Sequence, residues 1–182
     1  MVRLRFCGNV FPCCISIICD TGLVKVIQDR PRAVDVEEFL ARPLFAHLAT
    51  ASPGGPRESP VWFLWEEGAL WILGSRATDT FPMRIERDGR CAVGVVDFDR
   101  ASGRVQHVGM RGQATVEPFD ANRARRLLGR YLGDDQSTWD DRFLRTLKVE
   151  DEEVLVRFVP ETAVARDVSF EVVGHRQTSP LG

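Results

Sequence analysis

The stretch Ala69–Val96, ALWILGSRATDTFPMRIERDGRCAVGVV, decides most about this chain. It reads as a buried strand, then SRATDTFP, then a short amphipathic helix, then a second buried strand. Small hydroxyl and basic residues crowd the junction between strand and helix. Such a junction can cradle a phosphate, because helix N–H groups favour an anion, or it can be a helix start with ordinary capping chemistry. Asp79 suits the second reading as a cap. Pro82 fits within a first turn, where a missing N–H is harmless.

Outward from this stretch the organisation is regular. Upstream, VDVEEFLARP reads as a short helix with Asp35 as N-cap and Pro43 as a stop. FAHLATA is a strand, SPGGP a turn, and ESPVWFLWEEGALWIL two strands around EEG. Downstream come RCAVGVVDFD, the turn RASGR and the long strand VQHVGMRGQATVEP. DANRARRLLGRYLG is a helix with Leu127, Leu128 and Tyr131 at helical spacing, and TWDDRFLRTLKV is a further helical piece. EVLVRFVPETAVARD closes as a strand and turn. Hairpin-joined strands with inserted helices predict an α+β fold or small barrel, not alternating βαβ units.

Bulk properties narrow the function. The 182 residues suit one domain, and the net charge of −2 gives no footprint for nucleic acid or an anionic membrane. Only two of the 24 basic residues are lysine, Lys25 and Lys148, a skew that high-GC codon usage produces. Arginine abundance therefore carries little functional weight. Cys7, Cys13, Cys14 and Cys19 fall in a segment unlike the rest. Asn9 and Pro12 interrupt it as a signal, it is short for a membrane span, and it lacks zinc-type Cys-x-x-Cys spacing. Residues 1–33 are expected to be an extension outside the domain, 34–170 the domain, and 171–182 a polar tail. Cys91 reads as a small buried hydrophobe, and the body as cytoplasmic without a disulfide framework.

In PVWFLW, Val61, Phe63 and Trp65 point to one face and Trp62 and Leu64 to the other. Neither face is polar, so both need cover. One can line a barrel; the other needs a helix, a ligand or a partner subunit. A homodimer through this strand is the expectation.

FLARPLFAHLAT, GGPRESPVWFLWEEGALWIL, the helix before DGRCAVGVVD, HVGMRGQATVEP and VLVRFVPETAVARD together resemble the pyridoxamine 5'-phosphate oxidase-related family, in order from about Val36 to Val168. The resemblance implies an FMN-binding split β-barrel, mainly antiparallel with short flanking helices, that pairs as a homodimer and holds FMN between subunits. Some relatives bind a deazaflavin coenzyme or haem instead. Carried over by position, Ser59, Val61 and Trp62 border the flavin ring, and Ser75, Arg76, Thr78 and Thr80 face its phosphate. Hydroxyl donors and an Arg fork suit that role. The sequence departs from the family where many relatives start this helix with Arg-Lys: here Thr80 and Phe81 stand there, beside the anionic Asp79. Arg84 and Arg87 read as a solvated helix face.

His107 shares a strand face with Arg111 and Gln113, and falls where some relatives use a glutamine against the flavin; a polar-face role is the other reading. His47 reads as a satisfied, partly buried histidine, and His175 lies in the tail. Specific pyridoxamine 5'-phosphate oxidation is not implied, since the strand position that takes a Lys in that activity falls at Leu64. Two functional classes follow: an FMN- or deazaflavin-dependent oxidoreductase acting on a small-molecule substrate, and a non-catalytic flavin or haem carrier or sensor. No catalytic residue or metal ligand is identifiable.

Overall fold

The computed structural model describes residues 14–19, 22–28, 33–148 and 152–172. Its elements, in chain order, start with strands β1 (Cys14–Cys19) and β2 (Gly22–Gln28). Helix α1 (Val36–Ala41) follows, with Asp35 Oδ1 accepting from the Glu38 N–H at 3.0 Å, as its cap position predicts. Strands β3 (Ala46–Thr50), β4 (Arg57–Val61), β5 (Leu64–Glu66) and β6 (Ala69–Ser75) come next. Helix α2 (Phe81–Arg87) then leads into the hairpin of β7 (Arg90–Asp99) and β8 (Arg104–Pro118). Helix α3 (Ala121–Leu132), a 3-10 turn at Gln136–Thr138, helix α4 (Asp141–Thr146) and strand β9 (Glu153–Asp167) complete it.

These strands form one sheet in the order β1-β2-β9-β8-β7-β3-β4, with β6 also on β9 and β5 on β6. Long β9 serves two neighbours on one edge: its first half pairs with β6 and its second half with β2, while β8 runs along the other edge. A register shift between Arg111 and Gly112 bends the β8–β9 pair and curls the sheet. Among the described residues β4 has only β3 beside it, and β6 only β5 and β9, so the curled sheet stays open between β4 and β6. That opening matters for everything below.

Alternation builds the interior. Cys91, Val93 and Val95 of β7 and Val108, Met110 and Ala114 of β8 turn inward onto Phe39, Leu48, Phe63 and Phe158. The EEG turn is a tight hairpin in which both Glu67 (φ 56) and Gly68 (φ 70) take the left-handed conformation. Asp97, also inward, is satisfied by the Arg42 and Arg104 guanidiniums at 2.5 and 2.6 Å.

Three expectations are corrected. The PVWFLW segment is not one strand: β4 ends at Val61 and β5 begins at Leu64. In the break, the Tyr131 hydroxyl accepts from the Phe63 N–H at 3.0 Å and lies 2.8 Å from the Leu44 carbonyl oxygen and 3.1 Å from that of Phe63. The side-chain alternation survives, with Phe63 in the barrel and Trp62 outside it. Second, the outer side of Trp62 is covered by this chain's own α3 and α4, through Leu127, Leu128, Tyr131 and Phe143. Third, the segment expected to stand apart contributes β2, whose Val26 is 2 % exposed in the core and whose backbone runs parallel to β9. Its alternating GLVKVIQ pattern was hidden behind the cysteine-rich composition before it. Residues 1–13 and 173–182, with His175, lie outside the described residues. No helix among the described residues is long and apolar enough to cross a membrane.

Tyr131→Phe tests the break. Removing the hydroxyl leaves the Phe63 N–H without its partner, at a cost of about 1–3 kcal/mol. For a domain of this size the Tm falls by roughly 2–10 °C, measured by calorimetry. An unchanged Tm would show that the hydroxyl does not hold the strand break.

Candidate functional site

Where the sheet fails to close, between β4 and β6, a cleft of about 600 Å³ opens beneath α3 and α4. Its walls are apolar: Val61, Trp62, Leu73, Phe81 and Phe143. Trp62 is fixed by stacking on Tyr131, with ring centroids 4.6 Å apart and planes 4° from parallel, and on Phe143 at 5.4 Å. Ser75, Thr78, Asp79 and Glu153 supply the polar end.

The junction quoted at the outset shapes that end. After β6 the chain turns back on itself: the Asp79 N–H donates to the Ser75 carbonyl at 2.9 Å, and Asp79 Oδ2 accepts from the Ser75 N–H at 2.8 Å. Asp79 therefore closes the turn and does not cap α2. Thr80 is the N-cap residue, in right-handed helical conformation and without a side-chain cap bond. Its hydroxyl instead accepts from Arg84 Nη1 at 2.5 Å.

Of the residues expected at a cofactor, Val61, Trp62, Ser75 and Thr78 line the cleft. Arg76 does not reach it: its guanidinium pairs with Glu86 at 2.6 Å on an exposed surface. Ser59 and Thr80 are outside the cleft lining, each the chain neighbour of a lining residue, Pro60 and Phe81, and are joined through Arg84. Arg84 was read as solvated, and that reading is corrected. Its Nε donates to the buried Thr50 hydroxyl at 2.7 Å and its Nη2 to Ser59 Oγ at 3.4 Å. Three hydroxyls from β3, β4 and the start of α2 thus surround one guanidinium, and no carboxylate among the described residues pairs with it. The Thr80-x-x-x-Arg84 spacing, one helical turn, was the local signal for this group.

Glu153 was also missed. It begins β9 opposite Ser75 on β6. Burial, then the Asp79 and Glu152 charges, push its carboxyl above the usual range, against the opposing hydrogen bond from Ser75.

The histidines stand elsewhere. His47 is satisfied by Glu58 at 2.8 Å but exposed, not partly buried. His107 lies on the outer face of β8, paired with Val96 and Arg166 and separated from β4 by β7 and β3. Its ring folds over Gly109, where a Cβ would meet Cε1 at 2.9 Å. Burial, then Arg166, lower its pKa. Cys91 is buried, and its thiol is pushed up to about 11, first by burial, in keeping with an inert core role. No metal-holding group of His, Cys, Asp or Glu occurs among the described residues.

No family model and no curated protein matches this chain by sequence. Solved structures do match. A conserved hypothetical protein, Rv2991 from Mycobacterium tuberculosis, is 20% identical, with 80% of this chain and 94% of that chain covered at a TM-score of 0.62. An F420 reductase is 25% identical over 72% of this chain and 98% of its own, at 0.55. The haem storage protein HutZ from Vibrio cholerae is 15% identical over 70% and 88%, at 0.53. Proteins described as putative pyridoxamine 5'-phosphate oxidases are among the matches. The fold is the split barrel of the pyridoxamine 5'-phosphate oxidase-related proteins.

The His107 environment has a pH consequence. With the folded value below the ordinary 6.5, the unfolded chain takes the proton first. Stability present above that ordinary value is lost as pH falls through the folded one. Urea midpoints measured against pH should fall more steeply for the wild type than for His107→Gln; parallel curves would show that the ring is not desolvated.

Proposed function

We propose that the cleft holds the ring of a flavin-type cofactor, FMN or a deazaflavin, and that the protein is an oxidoreductase acting on a small-molecule substrate. The observation that carries this reading is the Arg84 group beside an apolar cleft. An aromatic-walled space of about 600 Å³ suits a flat tricyclic ring. A guanidinium among three hydroxyls, adjoining that space along both β4 and α2, suits a phosphate. Ser59, Thr80 and Arg84 would hold the phosphate, and Val61 and Trp62 would border the ring. Ser75 and Thr78 would face the ring's polar atoms, beside the Glu153 carboxyl and the Asp79 carboxylate, whose charge disfavours an anion there.

When bound, such a cofactor supplies hydride or electron transfer. The chain's own work is to bind, orient and exclude water. Trp62, immobilised between Tyr131 and Phe143, gives the ring a fixed wall. Leu73, Phe81 and Phe143 keep solvent from it. Among the described residues a haem-carrier reading finds no histidine in the cleft lining, since His47 and His107 stand on other surfaces.

We further propose a homodimer, through a surface other than the Trp62 side. Val96 and Phe98 on the outer face of β7 are 47% and 60% exposed. Val168 and Phe170, bonded by their N–H groups to Val105 and Gly103 carbonyls, extend the same apolar strip. Phe98→Glu should give a folded monomer by light scattering, and a dimer unchanged by that substitution would count against this strip.

The cofactor reading is tested by titrating FMN and riboflavin, which lacks the phosphate. Arg84→Ala should weaken FMN roughly ten- to a hundredfold, as expected for a lost charge-assisted bond, and change riboflavin little. Arg76→Ala should leave both near wild type. Equal losses for the two ligands on Arg84→Ala would remove the phosphate assignment, and no flavin binding by the wild type would remove the whole reading.

A further inference from the structure

The acidic end of the cleft has no part in the phosphate assignment. Glu153 is fixed there by the backbone ladder, because it is the register partner of Ser75 across β6 and β9. Ser75 is 9 % exposed, and its side chain stands beside the Glu153 carboxyl, favouring the charged form against the larger effect of burial. The charged groups facing Glu153 are Asp79, from the turn before α2, and its chain neighbour Glu152. One oxygen of Asp79 already accepts from the Ser75 N–H, a task for a carboxylate. Arg142 of α4 is the cation in the cleft lining among the described residues, and it lies over the Phe143 ring at 4.5 Å. Two carboxyls therefore share one partly buried, apolar-walled space with no guanidinium bonded to either, among the described residues.

We propose that Glu153 is a specificity-determining residue of the cleft, presenting a carboxylic acid O–H to a carbonyl on the polar edge of the ring bound against Trp62. This rests on the reading that the cleft holds a flavin-type ring. A protonated carboxyl donates one hydrogen bond, whereas a carboxylate only accepts and repels a carbonyl oxygen. Of the two acids, Glu153 is the one placed to keep the proton, since Asp79 is committed as an acceptor. Burial and the Asp79 charge both favour the neutral form. A ring that accepts from that form raises the carboxyl's affinity for its proton further. Affinity then declines as pH rises through the value for Glu153 in the free protein, because binding must recover the proton. The cleft thereby prefers rings with an acceptor at this edge.

The full-length protein and riboflavin, which leaves the Arg84 group out of play, provide the test. Riboflavin fluorescence is titrated from about pH 4, near the ordinary glutamate value, to about pH 8 for the wild type, Glu153→Gln and Glu153→Ala. Wild-type affinity should fall across the range. Glu153→Gln, whose amide donates at every pH, should keep the affinity the wild type shows in acid and lose the pH dependence. Glu153→Ala should be roughly three- to tenfold weaker than the wild type in acid, with a flat profile. A Glu153→Gln profile that tracks the wild type, or affinity that rises with pH, overturns the role of Glu153 and leaves the cofactor reading standing. Absence of both riboflavin and FMN binding by the wild type at every pH overturns the cofactor reading and this inference together.

Discussion

Gly112 has no room for a side chain: a Cβ there would stand 2.0 Å from the Val159 carbonyl oxygen. That close approach accompanies the slip in register between β8 and β9, and the bend it makes sets the shape of the sheet. Before the slip β9 is free to pair with β6; beyond it, with β2. One strand thus serves both ends of the sheet while β4 remains at the far edge. The cleft is the gap such a curl leaves. Its position follows from backbone geometry, and its chemistry from the residues that end β4 and β6.

The gap would be costly if its apolar sides met water. Helices α3 and α4 cover it, and Tyr131 fastens that cover to the wall. The ring lies flat on Trp62 while the hydroxyl takes over hydrogen bonding where the β4 ladder stops. One side chain thus packs the cover and satisfies the interrupted strand, which keeps the cleft narrow without closing it.

Much of the fold was legible because it rests on local pattern. Alternation in PVWFLW put Phe63 and Trp62 on opposite faces, though not which of them was inward, and the Asp35 cap and EEG turn follow from neighbouring residues. The break at Trp62–Phe63 was not legible, because the hydroxyl responsible comes from 68 residues away. The same limit governed the site. Ser75 and Thr78, which the resemblance put at a phosphate, line the cleft, but the direction of Arg76 depended on Glu86 across the helix. Arg84 gained its meaning from Thr50 and Ser59, which arrive on two other strands. Glu153 resembled any polar residue at a strand start until the ladder set it opposite Ser75.

Helix α4 has no fully buried residue, and its Phe143 meets the barrel wall chiefly at Trp62. The strands beneath belong to the core, with Phe63, Leu70 and Ile72 at 0 % exposure. Floor and roof of the cleft therefore differ in their free energy of opening. Lifting α4 separates only partly buried side chains, Phe143 and Leu144, from the α3 cluster, so it lies lower in the local unfolding spectrum than separating β6 from β9, which breaks a core ladder. A molecule entering the cleft meets a rigid floor and a roof that yields. Of the walls of the cleft, the six-residue α4 is the one that could shift while the β6–β9 ladder stays intact.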